Sequence, residues 1–205
     1  MIFESTRVSV VGLAIAVSSF AAPARAQNVT FTDVRDAVPG KYFSPAGTHA
    51  LPEAQNTLEI GFESGRDSGL DDEFRASTEA FGNRVAMDTL SFNVVAPEGY
   101  YISSITYHQS GTGAVNTPGD ARAASSWVVN GQPADLGSFS PGQFPWSNSQ
   151  TARFTDSSLT VVPVSLTTEL YAFAAPSLAS AEVDFTRATI VVILAPRPPS
   201  TPIRN

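Results

Sequence analysis

Alternating apolar and polar positions dominate the chain after its first 26 residues. In TLEIGFE, Leu58, Ile60 and Phe62 fall on one face, and Thr57, Glu59, Gly61 and Glu63 fall on the other. That period of two marks a half-buried strand. NVTFTDV, Asn28 to Val34, reads as a first strand, and RVAMDTLSFNVVAP places Leu90, Phe92 and Val94 on one face before Pro97 stops it. GYYISSITYHQ follows a Pro97-Glu98-Gly99 turn, so these two runs are expected to pair as a hairpin. In it Tyr101, Ile105 and Tyr107 point to the core, His108 and Ser110 form the exposed strand end, and Gly111 to Gly113 make a turn. SSWVVNGQPADLGSF holds a strand with Trp127 in the core, then Asn130-Gly131, a hairpin turn because both residues accept positive φ. The stretches ARFTDSSLTVVPVSLTTELYAFAAP and SAEVDFTRATIVVILAP are strand-dense, with Pro163 predicting an edge strand or a bulge.

Two regions break the pattern. Ala37 to Asn56 has three prolines and two glycines and reads as loop. The acidic stretch SGRDSGLDDEFRASTEAFGN is irregular, and Asp71 to Phe81 is the one segment that would form a short helix. Short strands with turn signals between them predict an all-β fold, an antiparallel β-sandwich or jelly roll with at most one short helix; an open barrel is the alternative closure.

The first 26 residues follow a different rule. A polar start with Arg7 leads into an apolar run from Val8 to Phe20 and then Pro23 and Ala24-Arg25-Ala26. This is the three-part layout of a secretory signal peptide, cleaved after Ala26. The run is about 13 residues, against roughly 20 needed to span a membrane. The expected organisation is a signal peptide over 1–26, one domain over 27–195 and a proline-rich tail over 196–205. No later apolar run reaches spanning length, so the exported chain is expected to be secreted or periplasmic with no membrane span.

Composition narrows the partners. The net charge is −7, Lys41 is the only lysine and there is no cysteine. An acidic chain repels phosphate backbones, so nucleic acid is not an expected partner. An exported domain without disulfides lives on its hydrophobic core, and one of this size has room for it. The same absence removes thiol nucleophiles and thiolate metal sites, and it leans toward a bacterial source.

Candidate chemistry is sparse. His49 and His108 have no metal-ligand spacing. Gly65 to Leu70, GRDSGL, echoes the nucleophile loop of chymotrypsin-like proteases, but only His49 precedes it, too close for such a triad. Asp67, Asp71, Asp72 and Glu73 gather carboxylate oxygens of the kind calcium takes, so calcium is the one cofactor considered. Trp146 sits beside Phe144 in GQFPWSNSQ, a Pro, Gly, Ser and Asn loop. Exposed there, the two rings would stack on a sugar, with Tyr100 and Tyr101 able to add to the platform. Glu59 and Glu63 are the pair a carboxylate-dependent glycan-active enzyme would need, facing a cleft about 5–10 Å across.

GYYISSITYHQSGTG, followed by ASSWVVNGQ, resembles secreted bacterial β-sandwich proteins of the PEP-CTERM-associated type, in which a Gly-aromatic-x-Ile-x-x-Ile-aromatic strand runs into a Gly-containing turn. This chain lacks their C-terminal Pro-Glu-Pro, terminal span and basic end cluster, so sorting by an exosortase is not expected. The resemblance implies an extracellular, non-enzymatic module and transfers no functional residue. The leading expectation is an exported bacterial protein with a structural or interaction role. A carbohydrate-binding module using Trp146 and Phe144 is the alternative, and a glycan-active enzyme a further one. The partner would be a glycan or another envelope protein.

Overall fold

A computed structural model describes residues 28–38, 42–52, 54, 56–62, 74–78, 82–115, 119–139, 145–174 and 180–198. Eleven strands run through them: β1 (Thr30–Asp36), β2 (Phe43–Ala50), β3 (Thr57–Phe62), β4 (Phe74–Thr78), β5 (Gly82–Val95), β6 (Tyr100–Val115), β7 (Gly119–Val129), β8 (Gln132–Phe139), β9 (Trp146–Arg153), β10 (Val161–Ala174) and β11 (Ala181–Pro196). They form two antiparallel sheets, the first ordered β1-β5-β10-β7-β8 and the second β2-β3-β11-β6-β9, with β4 beside β11. The described residues are a β-sandwich with no helix.

The sandwich forms because the long strands obey strict alternation. Along β10, Val162, Val164, Leu166, Leu170 and Ala172 are buried, and the odd positions between them face out. Along β5 the buried set includes Ala86, Leu90, Phe92 and Val94. The second sheet answers with Leu58, Ile60, Ile105, Tyr107, Phe185 and Ile190. Each large side chain so buried contributes about 1.5–3 kcal/mol.

Two hydrogen-bonded links and one unclosed polar approach cross between the layers. Asp88 of β5, 3% exposed, accepts the backbone N–H of Tyr42 and of Phe43 on Oδ2, each at 3.0 Å, where β2 begins. Trp127 Nε1 of β7 donates to Gln150 Oε1 of β9 at 2.6 Å. Tyr107 of β6 points toward Thr168, whose hydroxyl shares a hydrogen bond with Ser125 at 3.0 Å. Burial pushes the Tyr107 phenol far above its ordinary range, and the neighbouring Thr168 hydroxyl offsets this only in part. The geometry does not close a hydrogen bond to the phenol oxygen, so Tyr107 stays protonated and unsatisfied in the core.

Several expectations need correction. Residues 74–78, within the expected helix, form strand β4 and pair with Ala181–Phe185 of β11. A short segment nucleates a helix poorly, and the open flank of β11 next to β3 offers it backbone partners. The expected loop over 37–56 contains β2, which pairs with β3 in a register broken between Ser44 and His49. The β5–β6 hairpin does not form. β5 is already flanked by β1 and β10, and β6 by β11 and β9. Pro97 to Gly99 instead carries the chain across the end of the sandwich, with Gly99 at φ +80 and its carbonyl accepting Arg197 N–H at 2.9 Å.

Pro163 lies in neither an edge strand nor a bulge but in β10, between β5 and β7. Its carbonyl accepts Asn130 N–H at 2.9 Å, so its ring nitrogen faces the β7–β8 turn, where no ladder hydrogen bond is needed. The turn itself is as expected: Asn130 and Gly131 have φ of 51 and 76, and Val129 pairs with Gln132.

β6 also differs in phase. Ile102 is fully buried, and so are Ile105 and Tyr107. A register shift opposite Ser103, between Ile193 and Leu194 of β11, adds the residue that changes the phase. Tyr101 is only partly buried as a result. The expected turn over Gly111 to Gly113 is continuous strand, paired with β11. Gly111 is there because of close approach: a Cβ would run into the Asp184 carbonyl and the Trp146 indole. Gly111→Ala should therefore cost about 3 kcal/mol through overpacking, measured by urea unfolding. A cost below about 1 kcal/mol would mean that the indole and the β11 backbone yield easily.

Candidate functional site

Three central strands build the outer face of the first sheet, and their register fixes which side chains meet there. Tyr171 of β10 stands opposite Val85 of β5 and Arg122 of β7. One step along the face, Glu169 stands opposite Met87 and Ala124; one step the other way, Phe173 stands opposite Asn83 and Asp120. Ala124 is the small member, and its methyl leaves a trough lined by Asp120, Arg122, Glu169 and Tyr171, with a volume near 370 Å³.

The walls of this trough are chemically mixed. Tyr171 and Phe173 are partly exposed, while Val85 and Met87 are 52% and 47% exposed. These four make an apolar strip on a face that sheet alternation otherwise keeps polar. Arg122 Nη2 lies 2.7 Å from Asp120 Oδ2. The other Asp120 oxygen, Oδ1, is buried and has no hydrogen-bond partner. A buried acceptor without a donor costs about 1–3 kcal/mol. An aromatic ring beside a carboxylate–guanidinium pair suits a ligand with an apolar face and hydroxyl groups.

The second sheet carries a different surface. Register places Ser149, His108, Thr189, Glu59 and His49 in one row across β9, β6, β11, β3 and β2. Both histidines of the chain thus share one outer face, but three strand spacings of about 4.8 Å separate them. Glu59 lies 3.6 Å from Arg187 Nε and 4.0 Å from His49 Nε2. Beside the row, His108, Ser110, Ser147, Asn148, Ser149, Arg187 and Thr189 line a shallow polar depression. His108 is exposed as expected, but in mid-strand and not at a strand end, because β6 continues to Val115.

The expected sugar platform is corrected at Trp146. The residue is 3% exposed, its ring centroid is 5.4 Å from that of Phe185, and the indole lies against Gly111. Trp146 opens β9 on its inward phase and does not sit in a loop, so no ring face is presented to solvent. Phe144 lies outside the described residues, as do Asp67, Asp71 and Asp72; Glu73 and Glu63 do too. The calcium cluster and the Glu59–Glu63 pair are therefore not placed. No group of three or more His, Cys, Asp or Glu residues that could hold a metal occurs among the described residues. No helix among them is long and apolar enough to cross a membrane.

Sequence reasoning passed over Tyr171 and Arg122. Tyr171 sits in TTELYAFA, where the outward phase was legible, whereas Arg122 lies before SSWVVNG, in a stretch that was assigned no strand. What was not legible is that β10 and β7 are neighbours in this register, which brings Tyr171 to Arg122.

Comparison with known proteins adds little to this geometry. No protein-family model matches the chain, and no curated protein does. Among solved structures, it is similar to one described as TmCBM61 in complex with β-1,4-galactotriose, at 10% identity and a TM-score of 0.30, over 80% of this chain and 86% of that one. A likeness at that score carries no weight for the site, whose reading rests on the residues of the trough.

Proposed function

We propose that this chain is an exported bacterial β-sandwich with an interaction role in the envelope or extracellular space, and that it binds a glycan across the outer face of its first sheet rather than turning over a substrate. The signal-like N-terminus supports export. The trough at Ala124 supports binding, and the observation that carries it is the partly exposed Tyr171 ring beside the Arg122–Asp120 pair in the lining of one groove. A pyranose matches the chemistry of this wall. Its axial C–H face packs on an aromatic ring, and its hydroxyls donate to a carboxylate and accept from a guanidinium.

A glycan array with the purified protein, followed by calorimetry on any sugar bound, tests this reading. Tyr171→Ala should weaken binding roughly tenfold, because a stacked ring is worth about 0.5–1.5 kcal/mol beyond its buried area. The same change should leave the fold intact, since Tyr171 faces outward. An array without a bound glycan, or a Tyr171→Ala protein that binds as tightly as the parent, would overturn the proposal.

A further inference from the structure

Edge strands expose unpaired backbone groups, and proteins normally block them with prolines, bulges or charges. Three of the edges here are blocked in that way. β1 is irregular between Thr32 and Arg35, has Asp33 at φ 54 within the break and carries Arg35 and Asp36 after it. β2 holds Pro45 inside its broken register. β8 begins Gln132-Pro133 and has a register shift opposite Ala124 to Ser126.

Among the described residues β9 has no proline and no bulge, and its one charge is Arg153 at its end. It pairs with β6 from Ser104↔Arg153 to Gly111↔Trp146 without a shift, and Trp146 to Arg153 contains no proline, lysine or acidic residue. Phe154 N–H donates to Ser103 O at 2.9 Å, which fixes the phase: even-numbered residues of β9 bond to β6, and Ser147, Ser149, Thr151 and Arg153 turn their backbone groups outward. Of these outward N–H groups, that of Ser149 is capped by Asn148 Oδ1 at 2.7 Å.

We propose that β9 is a self-association edge, through which two copies of this chain pair antiparallel about a twofold axis at Ser149. The register is self-complementary on both faces. On the outer face Ser149 meets the second copy's Ser149, and Ser147 meets its Thr151, so hydroxyl opposes hydroxyl. On the inner face Asn148 meets the second copy's Gln150, so amide opposes amide. Such cross-strand pairs each contribute about 0.2–1 kcal/mol, in addition to about six backbone hydrogen bonds, of which the two from Ser149 N–H replace its local bond to Asn148 Oδ1 and release that amide. Charge selects the same edge. In a chain of net charge −7, this stretch has no acidic group and one arginine, which the register keeps apart from its twofold mate. Pairing there makes one continuous sheet across both copies and leaves the Tyr171 trough, on the other layer, open.

The test is sedimentation of the purified protein over a range of concentrations, with two variants. The parent should form a dimer that dissociates on dilution. Thr151→Pro removes an outward N–H and the exposed Thr106–Thr151 hydroxyl bond, so it should keep the backbone ladder to β6 and the fold while sedimenting as a monomer. Ser149→Cys adds the sole cysteine of the chain. A bonded antiparallel pair sets Cα atoms about 5.5 Å apart, within disulfide reach, so this variant should oxidise to a linked dimer much faster than Thr155→Cys. A parent that stays monomeric at every soluble concentration overturns the proposal. So does a dimer that survives in folded Thr151→Pro. If Thr151→Pro does not fold, Ser149→Cys decides, and a cross-linking rate no greater than that of Thr155→Cys overturns it.

Discussion

Trp146→Ala should lower the free energy of unfolding by about 4 kcal/mol, as truncation of a buried tryptophan does. The indole is 3% exposed, packs on Phe185 and fills the space above Gly111. Removing it leaves a cavity bounded by the Gly111 backbone of β6 and the Phe185 ring of β11, which the paired strands can close only in part. A surface platform would behave in the opposite way: truncation would shift stability by about 0.5 kcal/mol or less and would abolish sugar binding. Urea unfolding of the variant beside Tyr171→Ala separates the two roles. Trp146→Ala should move the midpoint and Tyr171→Ala should not. A Trp146→Ala protein of parental stability would return Trp146 to the surface and refute the packing described here.

Asp88→Ala should be nearly as costly, at about 3–4 kcal/mol. The Asp88 carboxylate holds the N–H groups of Tyr42 and Phe43 at 3.0 Å and that of Thr89 at 2.7 Å. Alanine leaves the Phe43 N–H buried with no acceptor, and each such orphan costs about 1–3 kcal/mol on top of the lost charge-assisted bonds. The damage extends to topology, because this carboxylate on the first sheet anchors the start of β2 in the second. Asp88→Asn keeps one oxygen for Tyr42 and Phe43 and should cost about half as much, since its amide nitrogen can no longer accept from Thr89. Amide exchange locates the effect: Tyr42 and Phe43 should lose protection in Asp88→Ala before the β5–β10 ladder does. Uniform loss of protection would show that Asp88 acts on the whole core and not as a clip for β2.

These two residues show how far the sequence could be read. Asp88 stands in RVAMDTLSFNVV at a position that alternation assigns to the inward face, together with Leu90, Phe92 and Val94. A buried carboxylate was thus visible, but its partners, 45 and 46 residues away, were not. Trp146 was misassigned because Pro145 and the surrounding Ser and Asn residues look like a loop. The composition of an edge strand facing solvent on one side is the same as that of a turn. Pro163 misled for a related reason: a proline forbids a hydrogen bond on one side of a strand, and which side faces the neighbour depends on the partner.

The sequence by itself determined the class. Period-two alternation in β3, β5, β7, β10 and β11 dictates sheets with one apolar face, and such sheets have to bury that face against each other. The Asn130-Gly131 turn was likewise legible, because positive φ is a property of the residues themselves. Tertiary structure alone decided strand order, the bulge opposite Ser103 and the meeting of Tyr171, Arg122 and Asp120. It also decided that β9 is the regular edge. The physical reason is common to all four. Alternation specifies which face a side chain takes, but pairing energy between strands is nearly indifferent to sequence separation. Neighbours across a sheet are chosen by how the whole set of strands closes the core.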